Sequence, residues 1–208
     1  MDYQPDYKHV SPATYGSLTG FYDFGCEVLG LGKSFKRRIL DSIEIADGST
    51  ILDVGCGTGV FLELGKQKHA NTKFVRIDPD ERALEIAKQR LSQKNLEVEL
   101  IQGYAEALPL DDNSVDHCFS SLAIHHVPDE HKLKATAEIY RVLKSGGRVV
   151  IADFGQSKWL FQYLRLFEKH IKGNLDGMIM KGLKDNSFRD IRILWKKWPG
   201  IQVISAKK

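Results

Sequence analysis

Thr50-Ile51-Leu52-Asp53-Val54-Gly55-Cys56-Gly57-Thr58-Gly59 is the stretch on which the reading of the whole chain turns. Thr50 to Val54 form a mostly apolar run of the kind a buried parallel strand presents. Glycines follow at alternate positions, and Val60, Phe61, Leu62 and Leu64 then open a helical pattern. A strand that turns sharply into a helix offers backbone N–H groups and a helix N-terminus to a ligand. Glycine suits that turn because it adopts backbone conformations closed to other residues and lets a ligand come close. The spacing is G-x-G-x-G, tighter than the G-x-G-x-x-G of dinucleotide-binding loops. The plainer alternative is a Gly-rich turn that only closes a strand–helix unit.

Outward from this loop, strand and helix signals alternate. A helix runs to about His69, Thr72 to Ile77 is a second strand, and Asp78-Pro79-Asp80 breaks it before a helix with Leu84, Ala87 and Leu91 on one face. Val98–Gln102 and Val115–Ser120 are expected as the third and fourth strands. Pro128-Asp129 opens a helix that the reading stops at Ser145-Gly146-Gly147, before a fifth strand over Arg148–Phe154. This alternation predicts a parallel sheet with helices on both faces. Ile191–Trp195 and Ile201–Ala206 are expected as closing strands; Lys196–Gly200 is too short for a crossover, so the two should be antiparallel. Upstream, Phe35, Ile39, Leu40 and Ile43 predict a helix over Lys33–Ile45, ended by Asp47-Gly48. Residues 1–48 then read either as a helical cap over the ligand pocket or as a tail packed on the sheet edge.

Asp53-Val54-Gly55-Cys56-Gly57-Thr58-Gly59 resembles the first motif of class I S-adenosylmethionine (SAM) dependent methyltransferases. The resemblance spans roughly residues 20–155 and implies an α/β, Rossmann-like, doubly wound sheet of seven mostly parallel strands with an antiparallel last strand. It implies one domain over 1–208: a cap (1–48), a SAM-binding core (49–155) and a C-terminal helix with closing strands (156–208). The cofactor is then SAM, leaving as S-adenosyl-L-homocysteine (SAH). Gly55, Cys56, Gly57 and Gly59 would cradle it. Asp53 would brace the loop or meet the methionine ammonium. Asp78, followed by Pro79, lies 19 residues beyond Gly59 and can accept both ribose hydroxyls, or else only cap the next helix. In Gly103-Tyr104-Ala105-Glu106 the family's acidic adenine contact is replaced by Tyr104; the Ala105 N–H can still meet the ring, Tyr104 can pack on it, and Glu106 is expected with them among the cofactor-binding residues. Ser120, at the end of the fourth strand, is expected among the cofactor-binding residues.

Ser120-Ser121-Leu122-Ala123-Ile124-His125-His126-Val127-Pro128 faces the switch point where open α/β sheets bind ligands. It lacks the Asn/Asp-Pro-Pro-aromatic motif of enzymes that methylate nucleic-acid bases or protein side chains, so no nucleic-acid partner is expected. His125 and His126 resemble those of small-molecule methyltransferases of the "type 11" kind. Tyr22-Asp23 and Lys36-Arg37-Arg38 loosely resemble the leader of ubiquinone/menaquinone-pathway C-methyltransferases. The implied activity is in-line transfer of the SAM methyl to a small-molecule acceptor, lipid-like or anionic in character, with Tyr22 and His125 on the substrate. An acceptor hydroxyl or enol also needs a general base, for which His125, His126, Asp153 and Tyr22 are candidates. Two other classes stay open: a SAM-binding protein without catalysis, and a nicotinamide-dependent oxidoreductase, against which the loop spacing argues.

Composition sets the bounds. The 208 residues are 42% hydrophobic and 27% charged, enough for one well-cored domain. Cys26, Cys56 and Cys118 are scattered and odd in number, which points to a reducing compartment. With a polar start and no signal-peptide core, a cytoplasmic location is expected; no metal-ligand spacing is seen, so no metal is expected. The net charge of +3 conceals an asymmetry: residues 155–208 hold 12 Lys+Arg against 4 Asp+Glu. With the aromatic stretch Trp159–Ile171, that basic quarter is either a solvated, sheet-covering region or a surface for weak peripheral membrane contact.

Overall fold

The computed structural model describes Pro5 and residues 26–55, 57–155, 173–198 and 200–208. Tyr22, Cys56 and the helix expected over Trp159–Ile171 lie outside these. In chain order the elements are α1 (Lys33–Leu40), β1 (Thr50–Val54), α2 (Val60–Lys68), β2 (Lys73–Asp78), α3 (Glu81–Ser92), β3 (Glu99–Gln102) and β4 (Val115–Ser121). A 3₁₀ turn (Ile124–His126) follows, then α4 (Asp129–Val142), β5 (Leu143–Phe154), α5 (Met178–Asp185), β6 (Arg189–Lys197) and β7 (Ile201–Lys207).

The strands form one seven-stranded sheet in the order β3-β2-β1-β4-β5-β7-β6. β1 to β5 are mutually parallel, and β7 runs antiparallel to both β5 and β6. The expected mostly parallel sheet with an antiparallel last strand is therefore found, with β7 inside the sheet and β6 at its edge. Strand order reverses direction between β1 and β4, so their C-terminal ends open a crevice.

Each sheet face has its own core. One packs Leu52, Val54, Cys118, Val149 and Ile151 against Ala135 and Ile139 of α4 and Ile179 and Leu183 of α5. The other packs Ile51, Phe119, Val150 and Val203 against Phe35, Ile39 and Leu40 of α1, Phe61 and Leu62 of α2, and Leu91 of α3. Each such side chain, fully buried, contributes about 1.5–3 kcal/mol. No helix among the described residues is long and apolar enough to cross a membrane.

Two boundaries differ from the sequence reading. α1 stops at Leu40, not Ile45, because the Ser42 hydroxyl and N–H both donate to the Ile39 carbonyl and end the helix. Ile43 and Ile45 still reach the core, from irregular chain. α4 stops at Val142, before Ser145-Gly146-Gly147. Its last carbonyls are taken by the N–H groups of Asn113 and Ser114, which removes the need for a glycine cap. The glycines serve β5 instead, beside a register shift between Val115 and His117. A Cβ on Gly147 would lie 2.8 Å from the Asp116 carbonyl oxygen.

Candidate functional site

The site lies at the C-terminal ends of β1, β2, β4 and β5. Gly55, Gly57 and Gly59 have φ of 54°, 63° and 79°, so each stands in the left-handed region that glycine alone enters cheaply. A Cβ on Gly59 would come within 2.9 Å of the Ala87 Cβ, and one on Gly55 within 3.0 Å of the Ala123 Cβ. The first contact sets α2 against α3; the second sets the loop against the segment after β4.

Beneath the loop lies Arg76, which the sequence reading missed. It is fully buried in β2. Its Nη2 donates to the Gly57 carbonyl at 2.5 Å and to Asp78 Oδ2 at 2.7 Å. The guanidinium thus ties the loop to the end of the neighbouring strand. A signal was present: a charge in an otherwise apolar run, two residues before Asp78 and hence on the same strand face. Asp78 is buried, and its Oδ1 accepts from the Asp80 N–H at 3.0 Å. The helix cap is Asp80, whose side chain accepts from Arg82 N–H, so capping is not the work of Asp78. Each Asp78 oxygen keeps a second lone pair for a ligand. Asp53 is fully buried at the end of β1. The Pro79 carbonyl accepts from the Gln102 side chain.

Beyond β3, Tyr104 is half-buried and bridges to Ala107, which turns Ala105 and Glu106 inward; Ala105 and Glu106 are both buried. Ser120 is buried, and its hydroxyl donates to the Val54 carbonyl at 3.0 Å. That bond holds the ends of β1 and β4 together.

His125 and Asp153 meet across the ends of β4 and β5. Asp153 Oδ1 lies 2.8 Å from His125 Nδ1, and Oδ2 accepts from the His125 backbone N–H at 3.1 Å. Oδ1 also accepts from the Phe154 N–H. Asp153 is 1% and His125 7% exposed. Burial would push the Asp153 carboxyl up, but the imidazole and the hydrogen bonds outweigh it and hold its pKa below the usual carboxylate value. Asp153 is therefore an ionised acceptor, so Nδ1 donates in that hydrogen bond and Nε2 is the ring nitrogen turned away from it. Of the four candidate bases, Asp153 is thus the partner that orients His125. The His126 ring packs on His125 at 4.0 Å between centroids, and Phe154 meets His125 edge-on at 5.1 Å. Leu122, in the turn leading to His125, has φ 57°, a strained conformation for leucine and one that marks functional turns.

Comparisons with known proteins find methyltransferases. A family profile described as "Methyltransferase domain" matches residues 51–147. The chain is 33% identical over 159 residues to a ubiquinone/menaquinone biosynthesis C-methyltransferase of Geotalea daltonii, covering 74% of this chain and 67% of that protein. It is 31% identical over 160 residues to a demethylmenaquinone methyltransferase of Oceanobacillus iheyensis, covering 75% of this chain and 66% of that one. The chain thus spans about two thirds of these relatives' length. In structure it resembles a geranyl diphosphate methyltransferase solved with GPP and sinefungin, with a TM-score of 0.71, 17% identity, and coverage of 86% of this chain and 78% of that one.

Proposed function

Since the chain belongs to the class I SAM-dependent methyltransferases, we propose that it methylates a small-molecule acceptor, with His125 as general base. The observation that carries this reading is the His125–Asp153 pair, set beside the loop of left-handed glycines. The loop, Asp53 and Asp78 fit SAM: the left-handed glycines turn the chain into the N-terminus of α2, and Asp78 keeps lone pairs for ribose hydroxyls. Tyr104, Ala105 and Glu106 would stand at the adenine end. When bound, SAM supplies a methyl on a sulfonium, an excellent leaving group.

The residues of the chain then have two tasks. The first is placement: holding the acceptor's nucleophilic atom in line with the methyl and keeping water out. The second is the proton. His125 Nε2 takes it from the acceptor as the nucleophile bonds to carbon, and Asp153 stabilises the resulting imidazolium. His126 and Phe154 limit how far the ring can turn.

Two finer readings rest on the relatives' names and on the surface. The acceptor is lipid-like, in keeping with the quinone-methylating relatives. The exposed Val28, Leu29 and Trp198 give weak contact with the membrane that would hold such an acceptor. Sedimentation with anionic vesicles, lost in Trp198→Asp, is expected; a protein that never pellets contradicts the contact.

The primary test is calorimetric titration. SAH should bind one to one, and NADH should not. Asp78→Ala should weaken SAH by about 1.5–3 kcal/mol, the worth of hydrogen bonds to a charged group. Unchanged affinity in that variant would remove Asp78 from the cofactor site, and NADH binding would favour the oxidoreductase.

A further inference from the structure

The opposite end of the sheet carries a cavity of about 310 Å³, lined from β4, β5, β6, β7 and the segment after α1. Ligand pockets begin at about this size. His117 and Arg148 are register partners on β4 and β5, and Arg148 is paired in turn with Lys207 on β7. Ser205, also on β7, is paired with Arg192 on β6. Strand alternation therefore sends these side chains to one sheet face. His117 lies four residues before the end of β4, roughly 13 Å along the strand from the crevice at Ser121. The cavity is thus separate from the candidate cofactor site.

Its lining is built for a ligand. Ser205 is 1% exposed, yet its hydroxyl has no hydrogen-bond partner, and neither has the buried Nδ1 of His117. A buried polar group left without a partner costs about 1–3 kcal/mol, so such groups lining a cavity are hydrogen-bonding groups that a bound ligand would satisfy. Around it stand three cations, Arg148, Arg192 and Lys207. Their opposition is thin: Glu44 on the rim, and Asp190, whose carboxylate is 3.9 Å from Arg148. The Ser42 hydroxyl, also in the wall, is already spent on the Ile39 carbonyl. Burial lowers the His117 pKa, Asp116 pulls it back up, and Arg148 lowers it again, with a net fall.

We propose that this cavity binds a phosphate group, with Arg148, Arg192 and Lys207 supplying charge and Ser205 and His117 supplying hydrogen bonds. Two guanidinium groups, an ammonium and a hydroxyl match the several acceptor oxygens of a phosphate. The same chemistry serves a free phosphate metabolite or a phospholipid headgroup, and the cavity recognises the shared group. This inference does not depend on the methyltransferase reading.

The test is thermal unfolding and calorimetry of the full chain with inorganic phosphate, against chloride at equal ionic strength. Phosphate should raise the melting temperature saturably, and chloride should not. Arg192→Gln/Lys207→Gln should lose about tenfold in phosphate affinity for each contact removed. Ser205→Ala should lose less, and both variants should keep the wild-type far-ultraviolet spectrum and melting temperature without phosphate. Both charged residues reach solvent, so the double variant is expected to fold. Vesicles with and without phosphatidic acid separate the sources: pelleting that needs phosphatidic acid and is lost in the double variant assigns a headgroup, and phosphate binding without pelleting assigns a soluble ligand. Equal effects of phosphate and chloride, with no pelleting, overturn the proposal, as does unchanged affinity in the double variant.

Discussion

Asp153→Asn should lower kcat by about 10²–10⁴-fold, the range general-base catalysis supplies, while SAH affinity stays within about twofold. The carboxylate touches neither the loop nor Asp78; its partners are the His125 ring, the His125 N–H and the Phe154 N–H. An asparagine of the same shape keeps the packing but can present its amide to Nδ1, which forces the ring's proton to Nε2 and removes the base. His125→Asn should cost as much, and the double variant little more, because the two residues act as one unit. Acid stability gives a readout independent of turnover. A carboxylate with a depressed pKa stabilises the fold above its ordinary value of 3.8 and loses that contribution as the pH falls through the lower folded value. The wild type should therefore show a larger acid-linked loss of stability than Asp153→Asn, in which Asp116 and Glu138 still titrate below their ordinary values. Full activity in Asp153→Asn would mean that positioning alone drives the reaction.

Arg76→Met should be the most destabilising single change in the cofactor half, at about 3–5 kcal/mol. It strands the Asp78 carboxylate in a buried site and takes a donor from the Gly57 carbonyl. For a domain of this size that is a fall in melting temperature of about 6–20 °C. Arg76→Met/Asp78→Leu removes both charges and should recover much of the stability, since replacing a buried pair with apolar groups is often neutral. SAH binding should not recover, because both the proposed ribose acceptor and the loop's anchor are gone. A melting temperature within 2 °C of wild type in Arg76→Met would show that the loop holds its shape without the guanidinium.

How much of this was legible in the sequence depends on how local each feature is. The glycine loop, its flanking strand and helix, and Asp78 were legible because strand burial, left-handed turns and short spacing all act within a few residues. The antiparallel pairing of β6 and β7 was legible for the same reason: five residues cannot cross a sheet. The ends of α1 and α4 were not. They are set by Ser42 turning its hydroxyl back on Ile39, and by Asn113 and Ser114 reaching across from another loop. Arg76 was hidden by its surroundings, since a strand that buries Val75 and Ile77 gives no reason to expect a buried cation unless its partner, Asp78, is considered with it. His125 and Asp153 were each named as candidates, but 28 residues separate them. Only the pairing of β4 with β5 brings them together, and on that contact rests the proposed division into base and orienting acid.

The central claim, that this chain moves a methyl group from SAM to a small lipid-like acceptor through His125, is tested most directly by following the label. Methyl-labelled SAM and a reduced demethylated quinone should give label in the organic extract with wild-type protein, and about 10²–10⁴-fold slower with His125→Asn. Tight SAH binding with no label transferred to that acceptor, or equal rates in the two proteins, would contradict it.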